Sequence, residues 1–293
     1  MLIARLIAEP DSLSARLEAA RAAMAARGLR MASAAMLDFC GETLQIGSPD
    51  DDAPGLRDVL DAHFAPSDGL VMGEEPAIPR VFISDMDSTM IGQECIDELA
   101  DFAGIKPQIA AITERAMLGE LDFAAALYER VGLLAGLPES AIAECLETRI
   151  RPMAGARTLV ETLKAQGCRT VLVTGGFHHF ADPVAEMLGF EHVVGNRLDV
   201  AGGKLTGGLV GEVVDSSVKR ATLLAEMAAL GENATSLATG DGANDIPMLE
   251  AATYGLAYHA KPRARAAANG WIDRGDLTSV LKLLGIPAKD WVV

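Results

Sequence analysis

The sequence predicts an α/β protein: a doubly wound, mostly parallel sheet interrupted by a helical cap and preceded by a smaller α+β unit. Three observations support this. Short apolar runs at Val81–Ser84, Thr170–Val173 and Ser236–Thr239 each end in residues suited to chemistry, and ligands in open α/β sheets sit beyond the carboxyl ends of such strands. The stretch from Gly92 to Arg151 separates the first two runs and far exceeds the dozen or so residues that a parallel crossover needs. Before Gly73, strand and helix periodicities alternate in the order βαββαβ.

In the N-terminal part, Leu2 to Ala8 reads as a strand, and Leu13, Leu17, Ala20 and Met24 form a helical stripe. Met31 to Phe39 and Thr43 to Ile46 suggest two more strands. An acidic loop from Ser48 to Pro54 precedes a second stripe, Leu56, Val59, Leu60 and Phe64, and Leu70 to Met72 gives a last short strand. This is the ferredoxin-like pattern. It is similar to the ACT-type domains attached to some amino-acid enzymes, but lacks the glycine-centred ligand loop such sensors use. A dimerisation or packing role therefore stands ahead of serine sensing. The linker Gly73 to Pro79, stiffened by Pro76 and Pro79, marks the boundary, so the expected domains are 1–74, then 78–93 with 151–293, with a cap of 94–150 inserted.

The run VFISDMDSTM delivers Asp85 and Asp87 to the exposed end of a buried strand. Side chains alternate in a strand but splay once the chain turns, so the two acids can reach one substrate from different directions. Crowding them is costly unless a cation or distinct proton states separate their roles. Taken alone, the segment could equally be a capped turn, since Asp, Ser and Thr favour helix starts. The second run ends in Thr174-Gly175-Gly176-Phe177, where small residues let backbone N–H groups approach an anion beside a hydroxyl. The third ends in GDGAND, bringing Asp241, Asn244 and Asp245. Between them a β-hairpin around Gly202-Gly203, flap or surface ornament, leads to a helix whose apolar stripe, Val218, Ala221, Leu224, Ala225 and Ala228, leaves Lys219 to one side. On that pattern alone Lys219 would be a solvated lysine. His178 and His179 read as ordinary helix-start residues.

The ordered set of carboxylate pair, hydroxyl with glycines, lysine and carboxylates resembles the haloacid dehalogenase-like phosphatases, and within them the phosphoserine phosphatases, from about Ile78 to about Leu284. That resemblance implies a Mg2+-dependent enzyme with Asp85 as nucleophile and Asp87 as general acid and base. Thr174, Gly175 and Asn244 would hold the phosphoryl oxygens and Lys219 would neutralise charge on the transferring group. Asp85, Asp87 and Asp241 would surround the metal, with Asp245 behind them. The family often has Ser where this chain has Thr174; both carry the hydroxyl. The implied reaction releases L-serine from O-phospho-L-serine through an aspartyl phosphate, the last step of L-serine biosynthesis. Rival expectations are a phosphatase or phosphotransferase for another small phosphomonoester, and a serine-binding regulatory protein on a decayed scaffold.

Within 92–151, Ile96, Leu99 and Ala103 mark one helix, Gly104 its stop, and Pro107 and Pro138 new starts. A helical cap would exclude water during transfer. The resemblance places Glu94 at the substrate ammonium, Arg130 at the carboxylate, and Met117 and Phe123 on the apolar walls. A guanidinium fork suits a carboxylate; without the resemblance, Glu94 and Arg130 read as ordinary helix-surface charges.

The chain has 293 residues, 50% hydrophobic and 23% charged, enough for two domains and a sizeable core. Its net charge of −16 disfavours nucleic acid and anionic membranes as partners, so attraction for a small phosphorylated substrate must be local. A homodimer is among the expected assemblies. No run approaches the roughly 20 apolar residues of a membrane span, and MLIARLIAEPDS is too short in its apolar part for a signal peptide, which makes the cytoplasm the expected compartment. Cys40, Cys95, Cys145 and Cys168 show no paired spacing and read as reduced thiols.

Overall fold

The computed structural model describes residues 1–117, 120–231 and 233–293, with the side chain of Met117 outside the described set. The N-terminal elements are β1 (Leu2–Ala8), α1 (Leu13–Ala26), β2 (Ser33–Met36), β3 (Leu44–Ser48), α2 (Ala53–Phe64) and β4 (Ser67–Met72). Their strands lie in the order β2-β3-β1-β4, all pairs antiparallel. Alternation along β1 sends Leu2, Ala4 and Leu6 to α1 and α2, and Ile3 and Ile7 to the larger core. Three strand bounds differ from expectation. Where Met31 to Phe39 was expected as one strand, hydrogen bonds from Cys40 N to Leu37 O and from Thr43 N to Cys40 O close turns instead, so β2 is short and β3 begins at Leu44. Strand β4 starts three residues before Leu70 because Ser67, Asp68 and Gly69 are buried and paired with β1, which their polarity conceals.

The larger part begins with β5 (Val81–Ser84). Four cap helices follow, α3 (Cys95–Phe102), α4 (Lys106–Met117), α5 (Phe123–Gly132) and α6 (Ser140–Arg149). Then come α7 (Ala156–Ala165), β6 (Arg169–Phe177), α8 (His178–Leu188), β7 (His192–Ala201), β8 (Lys204–Val210), α9 (Ser216–Leu230), β9 (Ser236–Gly240), α10 (Ile246–Ala251), β10 (Tyr254–Tyr258), α11 (Pro262–Ala267), β11 (Gly270–Ile272) and α12 (Thr278–Leu284). The strand order is β11-β10-β9-β5-β6-β7-β8, parallel throughout except for the β7–β8 hairpin. Strand β5 is flanked by β6 on one side and β9 on the other, so the chain winds away in both directions and opens a crevice at their carboxyl ends. Strand β6 runs past the expected Val173, but in the ladder with β7, Val173 faces Val194 and Phe177 faces Asn196. Residues 174–176 therefore stand opposite Gly195 alone, as a bulge.

The sheet is continuous across the expected linker. Strand β4 pairs antiparallel with β11, making eleven strands among the described residues. Helix α12 is held at both ends by β1 and β4. The Asp68 carboxylate, 0% exposed, accepts from the backbone N–H groups of Asp273, Arg274 and Gly275 and from Ser279 Oγ. At the other end, Arg5 Nη1 donates to Leu283 O at 3.0 Å. An anion near the helix start and a cation at its end both oppose the helix dipole. Trp271 of β11, fully buried, lies under the guanidinium groups of Arg57 and Arg265 at 4.9 and 4.5 Å.

The glycine hairpin does not line the crevice as a flap would. It docks on the cap: Gly136 N donates to Leu205 O at 2.8 Å, Leu205 N to Leu137 O at 2.9 Å, and Glu139 N to Gly203 O at 3.0 Å. Close approach requires Gly207, at φ +85, because a Cβ there would lie 3.0 Å from that of Ala135. Among the described residues no helix is long and apolar enough to cross a membrane. Removing the anion that anchors α12 strands three half-buried N–H groups and a buried hydroxyl, so Asp68→Ala should lower stability by about 2–3 kcal/mol. Urea denaturation measures this; an unchanged midpoint would show that α12 is held by apolar packing alone.

Candidate active site

Asp85 is the first residue beyond β5 and still hydrogen-bonds through its N–H to Thr239 O at 3.0 Å. Below it, Thr239 Oγ1 donates to Ser84 Oγ and Ser84 Oγ to Asp85 O, both at 2.7 Å, tying β9 to β5 where the carboxylate emerges. The chain then turns, with Met90 N donating to Met86 O and Ser88 in the left-handed region at φ 55. The turn parts the two acids: Asp85 Oδ1 accepts from Met86 N at 2.8 Å, while Asp87 Oδ1 is buried with no hydrogen-bond partner among the described residues. An orphaned buried carboxylate oxygen marks a place where a ligand or proton belongs.

Lys219 is 1% exposed, so its position off the apolar stripe does not put it in solvent. Asp215 caps α9 by accepting from Ser217 N and Val218 N at 2.8 and 3.1 Å, and the first turn then points Lys219 beneath the ends of β5 and β9. Its Nζ lies 2.8 Å from Asp85 Oδ1 and 2.7 Å from Asp245 Oδ1. The other oxygen of Asp245 accepts from Asp241 N and Gly242 N at 3.2 and 3.0 Å. Gly240 is required here, because a Cβ would fall 2.6 Å from that of Asp245. Asp85, Asp241 and Asp245 offer oxygens within 4.8 Å of one another; the side chain of Asp87 is not in that trio. Oxygen-only donors and one ammonium among three carboxylates fit a hard divalent cation.

On the third strand end, Gly176 N donates to Thr174 Oγ1 at 2.8 Å. A Cβ on Gly175 would meet the Phe123 ring at 3.1 Å, and one on Gly176 would meet Asp87 Oδ2 at 3.3 Å, so both glycines make room, one for the cap and one for the acid. From the cap side, Glu94 accepts from Ser88 Oγ at 2.8 Å. Arg130 donates through Nε to Ala126 O at 3.2 Å and has no ion-pair partner among the described residues. Phe123 follows Asp122, which caps α5.

These groups enclose one cavity of about 410 Å³, with Asp85, Asp87, Asp241, Thr174, Gly175 and Asn244 on its core wall and Glu94, Phe123 and Arg130 on its cap wall. Lys219 and Asp245 lie buried beneath it. The Met117 side chain is outside the described residues. Gly176, part of the glycine turn read from the sequence, also lines the cavity, and sequence reasoning missed Ile96, Leu127, Thr113, Ala243 and Lys261, which line it too. Lys261 N donates to Asp241 O at 2.9 Å, and its Nζ lies 3.5 Å from Asp241 Oδ2. It follows the apolar run Tyr254–Tyr258, a fourth strand end of the same kind, and that was the signal available. His178 pairs with Asp182 at 2.7 Å, and neither it nor His179 lines the cavity.

Burial, reinforced by Glu94, pushes Asp87 up to about 7. Burial and then the charge of Asp245 push Asp85 upward against the pull of Lys219. Burial alone would lower Lys219, but Asp85 and Asp245 on either side outweigh it and hold the lysine above its ordinary value. The two tendencies compete for one proton. Contacts of 2.8 and 2.7 Å on a single ammonium favour the lysine keeping it. Burial also raises Glu94 and Asp241 and lowers Arg130. Excess buried acid of this kind is common at functional sites.

The family model described as haloacid dehalogenase-like hydrolase matches residues 82–250. A phosphoserine phosphatase of Polaromonas sp. is 43% identical over 211 residues, covering 70% of this chain and 89% of its own. Another from Streptococcus thermophilus is 44% identical over 208 residues, covering 71% and 96%. Among solved structures, a HAD family hydrolase from Salmonella enterica serovar Typhi is similar over 97% of this chain and 99% of its own, with TM-score 0.83 and 27% identity. A probable phosphoserine phosphatase from Vibrio cholerae is similar over 99% and 87%, with TM-score 0.74 and 29% identity. These two structures extend over the N-terminal strands as well.

An acid near 7 in the folded chain and about 3.9 when unfolded binds more protons folded than unfolded between those values. Stability therefore falls as pH rises through that window. Metal-free protein should lose stability from about pH 4 to about pH 7, and Asp87→Asn should flatten part of that fall, leaving the share due to Asp85, Glu94 and Asp241. Denaturant midpoints across this range test it; identical slopes in both proteins would mean that the Asp87 carboxyl titrates alike folded and unfolded.

Proposed function

The chain belongs to the haloacid dehalogenase-like hydrolases, and from that premise we propose that it hydrolyses O-phospho-L-serine to L-serine and phosphate. One observation supports this above the rest: a single cavity has a carboxylate touching a buried lysine on its core wall and, on its cap wall, an arginine without an ion-pair partner among the described residues. The first arrangement suits a phosphoryl group and the second a carboxylate. Glu94 beside it supplies an anion for the substrate ammonium, and Phe123 is assigned to the apolar wall.

Asp85 Oδ1 is held by Met86 N–H and Lys219, leaving Oδ2 without a hydrogen bond among the described residues and free to attack. In the first half-reaction the Oδ2–P bond forms, the bond from phosphorus to the serine oxygen breaks, and Asp87 gives that oxygen its proton. In the second, water attacks phosphorus, the Oδ2–P bond breaks, and Asp87 takes a proton from the water. A pKa of about 7 suits Asp87 to both directions. Thr174, Gly175 and Asn244 hold the phosphoryl oxygens while Lys219 offsets their charge. Asp85, Asp87 and Asp241 are assigned to Mg2+, with Asp245 orienting Lys219 and the Asp241 backbone behind them. When bound, Mg2+ supplies further neutralisation of the phosphoryl charge.

The working division is 1–74, 78–93 with 151–293, and 94–150. The first unit is read as ferredoxin-like and ACT-type on its element order and antiparallel pairing. One face of its sheet covers α1 and α2 while the other packs toward α12, which favours a packing role over sensing. Pairing into a homodimer and a cytoplasmic location complete the reading.

Phosphate release from O-phospho-L-serine, phosphothreonine and an aryl phosphate, with Mg2+ or chelator, tests it. Asp85→Asn should abolish turnover of all three. Arg130→Ala should raise KM for phosphoserine by roughly 10- to 100-fold and leave the aryl phosphate unaffected. Equal turnover of all esters, indifferent to Arg130→Ala, would sink the substrate assignment, and no release from any would favour a binding protein.

A further inference from the structure

The bulge in β6 poses a backbone problem. Residues 174–176 drop out of the hydrogen-bonded ladder with β7 because three residues face one, so the carbonyl of Gly175 has no ladder partner, and a carbonyl shielded from water and left unpaired is costly. The vacancy is filled by a side chain. Asn196, 2% exposed, donates from Nδ2 to Gly175 O at 2.8 Å and accepts at Oδ1 from Val214 N, also at 2.8 Å. The amide orientation follows from chemistry, since one partner is a carbonyl and the other an N–H.

We propose that Asn196 is a positioning residue for phosphoryl transfer, holding the Thr174-Gly175-Gly176 loop and the approach to the lysine helix in one register. The inference rests on the phosphatase reading above. A trans peptide is planar, so tying Gly175 O on one edge fixes the Gly176 N–H on the other, and that N–H donates to Thr174 Oγ1. A hydroxyl that accepts in this way keeps its own proton to donate to a phosphoryl oxygen. The loop is also pressed down on β7: a Cβ on Gly195 would lie 3.2 Å from Thr174 Cγ2. On its other side, Asn196 anchors Val214, which adjoins Asp215, the cap of α9 and hence of Lys219. One amide thus links two of the groups assigned to the phosphoryl oxygens, although Asn196 itself does not line the cavity.

The test separates the phosphate end of the site from the amino-acid end. Asn196→Asp keeps the size of the side chain and its contact with Val214 but sets an acceptor against Gly175 O. Calorimetric titration of the full chain in Mg2+, with inorganic phosphate and separately with L-serine, should show phosphate affinity reduced roughly 10- to 100-fold and L-serine affinity changed less than about twofold. The turnover rate should fall with phosphate affinity. In a Thr174→Val background, Asn196→Asp should add little further loss, because both act through one hydroxyl. If the aspartate variant does not fold, Asn196→Ser, too short to span the gap, should give the same split. Parallel loss of both affinities, or an unchanged phosphate affinity in a folded variant, overturns the proposal. Wild-type protein that binds phosphate but hydrolyses no phosphoserine would overturn the substrate reading instead, while the phosphate titration still decides the role of Asn196.

Discussion

Lys219 lies between Asp85 and Asp245 with almost no exposure, and its two contacts constrain everything around it. A buried ammonium is tolerable only when carboxylates compensate it, and removing one partner of such a set costs several kcal/mol, of order 3–5. The three side chains come from the end of β5, the first turn of α9 and the turn after β9, so these elements must meet within a few tenths of an ångström. Asp245 does more than balance charge. By also gathering the N–H groups of Asp241 and Gly242 it shapes the turn that presents Asp241.

The parallel sheet makes that meeting possible. Strand β5 lies between β6 and β9, and the crevice at their carboxyl ends collects three polar turns from segments far apart in the chain. Glycines appear where these turns crowd one another: Gly240 against Asp245, Gly176 against Asp87, and Gly175 against the cap residue Phe123. The cap is fixed in turn by the β7–β8 hairpin through backbone hydrogen bonds to residues 136–139. A segment left open between flap and surface ornament in the sequence is a strut between the helices α3–α6 and the core.

The N-terminal strands belong to the same mechanical unit. Pairing of β4 with β11 extends the sheet, while Asp68 and Arg5 hold opposite ends of α12. Helix α11 connects this region to the site: it carries Arg265, which pairs with Asp61 of α2 at 2.6 Å, and it follows Lys261, whose backbone binds Asp241. Few covalent steps separate the packing of α2 from a carboxylate in the cavity.

Much of this was legible in the chain itself. An apolar run followed by a polar turn is a local signal, and three such runs pointed to Asp85, Asp87, Thr174, Gly175, Asp241, Asn244 and Asp245; the order of these motifs set Lys219 beside them, while Glu94 and Arg130 came only from the family resemblance. Helical stripes and stop residues located the cap in the same way. Residues whose roles depend on distant partners stayed hidden. Asn196 is one polar residue in a strand until the β6 bulge leaves a carbonyl for it to bind, Lys261 is one surface lysine until β10 joins the sheet, and Asp68 takes its partners some 205 residues later. Local periodicity determined which elements form and which of their ends carry chemistry. Strand register and helix packing, set by burial between remote segments, decided which polar atoms those ends would meet.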